Sequence, residues 1–539
     1  FVSNGDLNIK NTGTLTIESY SDSFEETLTF NNTTFKISDT ITGLTIGKSA
    51  NTSTVTINSA ISVAGAISIY GGILDINETI TSTNTGDLLF QASTDANSSF
   101  DLAASKSIRK TGGASSTLTI KSAARLITNS TSTLSTVSGS PLNVILWSDY
   151  DGDGNDGGLS IYSNITTYGG HVWMGGSDSV NGTTTWNSLT VGDGGSQGSN
   201  GYNHNGMDLG ATSISTSNGD VYIRAGDGYS AGVDGIGLYA DVDLNVGSGD
   251  VIIEANEVVQ ATASTEFSIT STGEFTFKPF TTAFDGNYGG ELNIGGTLTA
   301  GTFTGSGDFA EFKFISFANL GGFEIGKSTS SSSITIDSAI SIAGPITIYG
   351  NDINLNQAIT GSGNITITAA QDIWMNTGFT QIYSTGSGNF IKLLAKRNIS
   401  NLTNAPSITL TTTGGDILVA SDTDNSGGGF VTIVTGSTFE SNGGDITIAG
   451  GSTTGSGYAK GYSGTAWYGE GLRLDGNVNI ASSGGNIVLR GEAYNGSITD
   501  GQGAAGISFY GAEIGTQTVD INSGTGTILI DAKGYSYTS

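Results

Sequence analysis

The chain contains no cysteine, which removes disulfides and thiolate chemistry together. That absence is neutral for a bacterial surface protein and unusual for a secreted animal one. Two histidines and three methionines leave little material for transition-metal sites. Charged residues make up only 12% of the 539, and the balance is acidic, with a formal charge of −29. Such a chain has no basic face for nucleic acid and no attraction to an anionic membrane. It is suited instead to solubility and to divalent cations. Prolines number four, and no apolar run approaches the roughly 20 residues of a membrane span.

What fills the chain is glycine, 83 residues of it, with Ser, Thr and Asn. The 36% of apolar residues fall in short alternating runs, which argues against disorder. LTIESY, STVTINS, AISIYG, GDVYIRAG, SSITIDS, GDITIAGG and NIVLRGE each alternate with period two, and most follow Gly-Asp, Gly-Asn or Ser-Gly. Helical periodicity is scarcely found, so the chain reads as all-β. The rhythm of one strand every 10 to 12 residues continues past residue 500 without a composition break or a linker. That continuity favours a right-handed parallel β-helix, a β-solenoid with loop insertions, over a string of sandwiches.

A long repeat lies over this rhythm. GLTIGKSANTSTVTINSAISVAGAISIYG from Gly43 matches GFEIGKSTSSSSITIDSAISIAGPITIYG from Gly322, an offset of 279 residues. Later phrases correspond with small gaps: WSDYDGDGNDGG with ASDTDNSGGG, and STSNGDVYIRAGDG with ASSGGNIVLRGEAY. The reading is residues 1–42 as the end of a preceding unit, 43–321 as one unit and 322–539 as a second, truncated one, all in one continuous solenoid. On this reading the chain is a segment of a giant tandem array.

GGFEIGKS, Gly321–Ser328, fits the phosphate-binding pattern G-x-x-x-x-G-K-[ST]. A P-loop needs a helix after Lys-Ser, and here TSSSSITIDS leads into a strand. The first copy, TGLTIGKS, lacks the leading glycine, so the motif is a turn between coils and no nucleotide is expected.

Asp149, Asp151, Asp153 and Asp156 place carboxylates at nearly every second residue with glycines at the bends, a spacing that can wrap a hard cation such as Ca2+. Ser160 stands where the bidentate Glu of a complete EF-hand loop would be, and the second copy keeps only Asp422 and Asp424. Two glycine-rich excursions interrupt the strands at equivalent places. They carry Trp186, Tyr202 and His204 in one, and Tyr458, Tyr462, Trp467 and Tyr468 in the other. Aromatic rings on long loops can stack on sugars, or simply cover a widened coil. No catalytic grouping persists between the copies: half of the Asp149 cluster is lost, and His171 corresponds to Asp445. Apart from the calcium possibility, no cofactor is expected.

The phrase GKS–TITI–SAIS–IYG, present at 47–71 and 326–350, resembles the repeats of very large surface adhesins of Bacteroidota, including the SprB-like gliding adhesins exported by the type IX secretion system. The GGDITIAGG style is shared more widely with filamentous-haemagglutinin-like β-helices. The resemblance implies an extracellular filament on the bacterial cell surface, attached to the outer membrane and carried by export and gliding machinery. It would grip polysaccharide or other surfaces without spanning the membrane itself. It also implies O-glycans at Asp-[Ser/Thr]-apolar triplets, here at Thr40, Ser179 and Ser338. The expected role is a structural, non-enzymatic shaft. The alternatives are a polysaccharide-degrading β-helix enzyme (lyase or glycoside hydrolase) and a passive carbohydrate-binding array.

Overall fold

A computed structural model describes residues 7–31, 35–94, 99–153, 157–198, 205–226, 235–260, 265–284, 291–294, 302–303, 311–314, 317–401, 407–462, 469–496, 505–510 and 517–535. Two compact units divide the chain: one is built on residues up to Thr281 together with the strand Glu311–Phe314, the other mainly on residues from Ser316 onward. Each is a right-handed parallel β-helix with insertions, as the sequence predicts. Among the described residues no helix is long and apolar enough to cross a membrane.

In the first unit three parallel ladders run side by side, and among the described residues each coil between Gly43 and Ser271 contributes one strand to each. The strands Gly43–Ile46, Val55–Ile57 and Ile61–Val63 form one such coil; Ala66–Gly71, Leu74–Ile76 and Ile80–Ser82 form the next. Their registers put like on like. Leu44, Ile67, Leu88, Leu118, Val144, Val172, Val221, Val251 and Phe275 form one column of buried side chains along the first ladder. The second unit repeats the plan, with Phe323, Ile346, Ile365, Ile391, Ile417, Ile446 and Ile487 in the equivalent column. Period-two alternation is therefore the whole folding instruction. Ala66, Ser68 and Tyr70 of AISIYG point out, Ile67, Ile69 and Gly71 stack inward, and a one-residue slip would turn the core to solvent.

The polar residue at the start of a first-ladder strand, often the Asp or Asn of a Gly-Asp or Gly-Asn pair, also has a use. Asn143 Oδ1 accepts the backbone N–H of His171 at 3.0 Å, and His171 Nδ1 accepts that of Asp220 at 3.0 Å. Asp220 Oδ1 then accepts the N–H of Asp250 at 2.9 Å, and Asp250 Oδ1 that of Glu274 at 2.8 Å. In the second unit Asp416, Asp445 and Asn486 continue the same pattern to Asp445, Asn486 and Thr527 at 2.7 to 3.0 Å. These side chains form a column of acceptors outside the barrel of the coil, each taking an N–H of the next coil. His171 is a member of that column, which explains why a histidine in one unit answers to an aspartate in the other.

Candidate functional site

The Gly-Lys-Ser phrase is a coil corner in both units. Gly47 and Gly326 have φ of +78° and +77°, and a Cβ there would stand 2.3 Å from the Tyr70 carbonyl oxygen and 2.1 Å from that of Tyr349. The glycine is thus demanded by a main-chain carbonyl of the next coil, that of Tyr70 or Tyr349. Lys48 Nζ donates to the Ser21 carbonyl at 3.0 Å, and the strand Ser333–Ile336 follows the second copy. No phosphate cradle is formed.

The two excursions leave and rejoin their coils in the same way. In the first unit Gly176 pairs antiparallel with Gly194, and Ser196 then runs parallel beside Ala225. In the second, Gly450 pairs antiparallel with Gly457, and Ala459 pairs with Gly491. Between these fixed points the first excursion makes a hairpin, Thr183–Trp186 against Leu189–Gly192. Its turn residues Asn187 and Ser188 both have positive φ, 47° and 64°, as a type I′ turn needs. The second excursion is shorter and is tied by Ser452, whose hydroxyl bonds those of Thr454 and Ser456.

One clasp holds both to the outer face of the first ladder. Arg224 donates to the Asp193 carbonyl and its Nε lies 3.0 Å from Glu254 on the next coil. Arg490 likewise donates to the Ser456 carbonyl at 2.9 Å and lies 3.7 Å from Asp531. A tyrosine hydroxyl completes each: Tyr222 donates to Glu254, Tyr458 to Asp531 at 2.9 Å. Burial first, and the Glu254 charge second, push the Tyr222 hydroxyl well above its ordinary pKa, so it remains a donor.

Beneath the first excursion lies a small apolar core outside the coil. Trp147 and Trp173 meet edge to face at 6.3 Å, joined by Ile145 and Val191, all buried. Trp147 Nε1 donates to Ser177 Oγ at 2.8 Å. Trp186 is half-buried on the rim of this core, 5.6 Å from the His171 ring and 5.7 Å from Tyr222. In the second unit the equivalent face is small and aliphatic: Leu394, Leu418 and Ala420. Tyr458 is half-buried, and Tyr462 is exposed while its ring stacks on Phe430 at 5.8 Å. Tyr202, His204, Trp467 and Tyr468 lie outside the described residues, as does Asp156.

No protein-family model, curated protein or solved structure matches this chain. The assignment of a site therefore rests on its chemistry.

The acidic turn is where that chemistry concentrates. Oxygens of Asp149, Asp151 and Asp153 lie within 4.8 Å of one another, a cluster of hard ligands that could coordinate a divalent cation such as Ca2+. Asp149 is fully buried at a φ of 46°, and Gly152 N donates to its carbonyl at 3.0 Å. Gly152 lies against the outbound leg of the excursion, where a Cβ would stand 2.2 Å from the Ser179 carbonyl. The second unit makes the same turn: Asp422 is fully buried at a φ of 48°, and Asn425 N donates to its carbonyl at 2.8 Å. Asp424 Oδ1 there accepts the N–H of Ser426 at 3.2 Å. Of the hydroxyls in Asp-[Ser/Thr]-apolar triplets, Thr40 is exposed and bonds the Asn11 carbonyl, Ser179 is exposed and bonds Asp193, and Ser338 is buried.

Arg490, Glu254 and Asp531 were not among the site residues the sequence singled out. The signal for the arginines was present, since VYIRAG and IVLRGE align within the repeat.

Proposed function

We propose that the chain is a structural shaft region of a secreted, filamentous bacterial cell-surface adhesin, without enzymatic activity of its own. The observation that carries this reading is the persistence of mechanics over chemistry. Across the two units the core columns, the glycine corner, the acceptor column and the Arg–carboxylate clasp all recur. The carboxylates that could bind a ligand do not all recur: Asp149 and Asp151 keep counterparts in Asp422 and Asp424, but Asp153 becomes Ser426. A chain selected for a reaction would hold the reverse set fixed. Stacked parallel coils carry load through their ladder hydrogen bonds, and repetition multiplies any weak surface contact.

The sequence resemblance supports placing this shaft outside the cell, attached to the outer membrane, in contact with polysaccharide or solid surfaces and driven by gliding machinery. The preferred cation at the Asp149 turn is calcium, because irregular carboxylate sets suit it better than the octahedral demand of Mg2+.

The test is retention of chain-coated beads on polysaccharide-coated surfaces under flow, run beside a depolymerisation assay on the same polysaccharides. Retention without chain shortening is expected. Polysaccharide cleavage abolished by Asp151→Ala with Asp153→Ala would replace the shaft by an enzyme.

A further inference from the structure

In the second unit the turn after Ser421 and the return leg of the excursion, Ala459–Lys460, are locked to each other. The backbone of Lys460 exchanges both hydrogen bonds with Gly429, at 2.7 and 2.8 Å. Gly429 also takes the Ser421 hydroxyl on its carbonyl at 2.6 Å, and a Cβ there would stand 2.2 Å from the Arg397 carbonyl oxygen. The base of the turn and the backbone of Lys460 are therefore fixed together. From that base the lysine side chain reaches into the turn. Its Nζ lies 2.9 Å from Asn425 Oδ1 and 3.5 Å from Asp422 Oδ2.

An amine, a carboxamide and a buried carboxylate meet at this point. The Lys460 side chain is 22% exposed, so its nitrogen is largely shielded from water. Asn425 is exposed and is held at a φ of 54°, its N–H on the Asp422 carbonyl at 2.8 Å. Asp422 is fully buried, and its Oδ1 accepts the N–H of Gly427 at 3.1 Å. Its Oδ2 takes no hydrogen bond among the described residues and faces the ammonium. An ion pair between Lys460 and Asp422 needs no third group. The amide is the added element, and its oxygen holds Nζ one bond away from an electrophilic carbon.

The first unit makes the same turn with other side chains. Gly152 stands where Asn425 does, and Gln197, which follows Ser196 as Lys460 follows Ala459, stands in the lysine's place. Neither the carboxamide nor the amine has a counterpart there.

We propose that Lys460 and Asn425 are joined by an intramolecular isopeptide bond, with Asp422 as the proton carrier. Asp422 Oδ2 takes a proton from the Lys460 ammonium, and the freed Nζ adds to Asn425 Cγ. The Nζ–Cγ bond forms and the Cγ–Nδ2 bond breaks. The protons shed by Nζ pass by way of Asp422 to Nδ2, which leaves as ammonium on the solvent side, and Asp422 ends as the carboxylate it began as. Nothing is oxidised or reduced, and no co-reactant is consumed. The product staples the return leg of the excursion to the preceding coil, in a chain without the cysteine that a disulfide would need. It goes beyond the adhesin reading and does not depend on it.

The experiment reads the bond on the whole purified chain by intact mass, then by digestion at glutamate, which cuts at Glu440 between the two residues. A chain lighter than its sequence by one ammonia is expected, with the peptides carrying Asn425 and Lys460 recovered as one branched species. Lys460→Arg, which retains the cation, and Asn425→Ala should each have the full mass of their sequence and give separate peptides. Asp422→Asn should do the same while retaining the β circular-dichroism spectrum of the parent.

A parent chain of full sequence mass, with separate peptides on either side of Glu440, would overturn the proposal. So would an ammonia loss that maps to any other residues. A link that still forms in Asp422→Asn would overturn the part given to Asp422.

Discussion

The two units are one design executed twice, and the parts that differ lie on one side of the coil. Inward positions at the strand centres hold mostly Ile, Leu, Val, Phe and Met stacked on one another, while some columns step through smaller or polar residues, as Val63, Ser82 and Lys110 do. Outward positions of the first ladder change freely, since each excursion brings its own cover. Over Trp147 and Trp173 lies a hairpin with Val191 and Trp186; over Leu418 and Ala420 lies a short loop whose Gly455 would place a Cβ 2.9 Å from Leu418. Cover and covered face vary together. What cannot vary is the arginine that ties them to the next coil.

The strongest challenge to this equivalence is at the corner glycine. Gly326→Val forces a β-branched residue into positive φ and drives its Cβ into the Tyr349 carbonyl, so a loss of roughly 3 kcal/mol or more is expected. Gly47→Val should behave alike in the first unit. Urea unfolding of both variants checks this, and a benign result at either site would separate the units.

The clasps offer a graded contrast. Arg224 lies closer to its carboxylate than Arg490 does, 3.0 against 3.7 Å, and the Glu254 side chain is 9% exposed against 38% for Asp531. Arg224→Ala should therefore cost about 3 kcal/mol, in the range for breaking a buried pair. Arg490→Ala should cost about 1 kcal/mol, nearer an exposed pair that also loses one hydrogen bond. Thermal melts that rank them the other way would show that the pair distance does not set the clasp's strength.

A smaller effect tests the acceptor column. His171→Asn retains an acceptor for the Asp220 N–H and should stay within about 0.5 kcal/mol of the parent, whereas His171→Ala leaves that N–H without its acceptor and should cost about 1 kcal/mol. Equal losses in denaturant titrations would remove His171 from the column.

The smallest effect is electrostatic. Asp75 and Asp101 stand opposite each other on adjacent coils, and burial first, then the Asp75 charge, raise the Asp101 pKa. A raised folded-state pKa means that ionised Asp101 costs stability once pH rises through that value, and the cost vanishes in acid. Asp101→Asn should thus stabilise by a few tenths of a kcal/mol at pH 7, with the gain disappearing by about pH 4. Its stability profile against pH decides the matter.

The fold was legible because its rules are local. Alternation in STLTIKS or NITITAA assigns each side chain to core or solvent without knowledge of the rest of the chain, and the offset of GLTIGKS and GFEIGKS exposes the unit. The acidic turn was legible too, since its carboxylates are neighbours in sequence. The excursion chemistry was less so. Lys460 lies 38 residues from Asp422, and it reaches that turn only because Gly450 and Gly457 fold the excursion back. Trp186 shows the other limit: its loop position marks it as available, while the packing of its ring against His171 and Tyr222 follows from a hairpin turn at Asn187 and Ser188.

The acceptor column also gives the coil a polarity. At every step described, the side-chain acceptor belongs to the earlier coil and the backbone donor to the later: Asn143 to His171, Asp220 to Asp250, Asp445 to Asn486. The column therefore has two unlike ends, a side-chain oxygen facing the later coil and a main-chain N–H facing the earlier one.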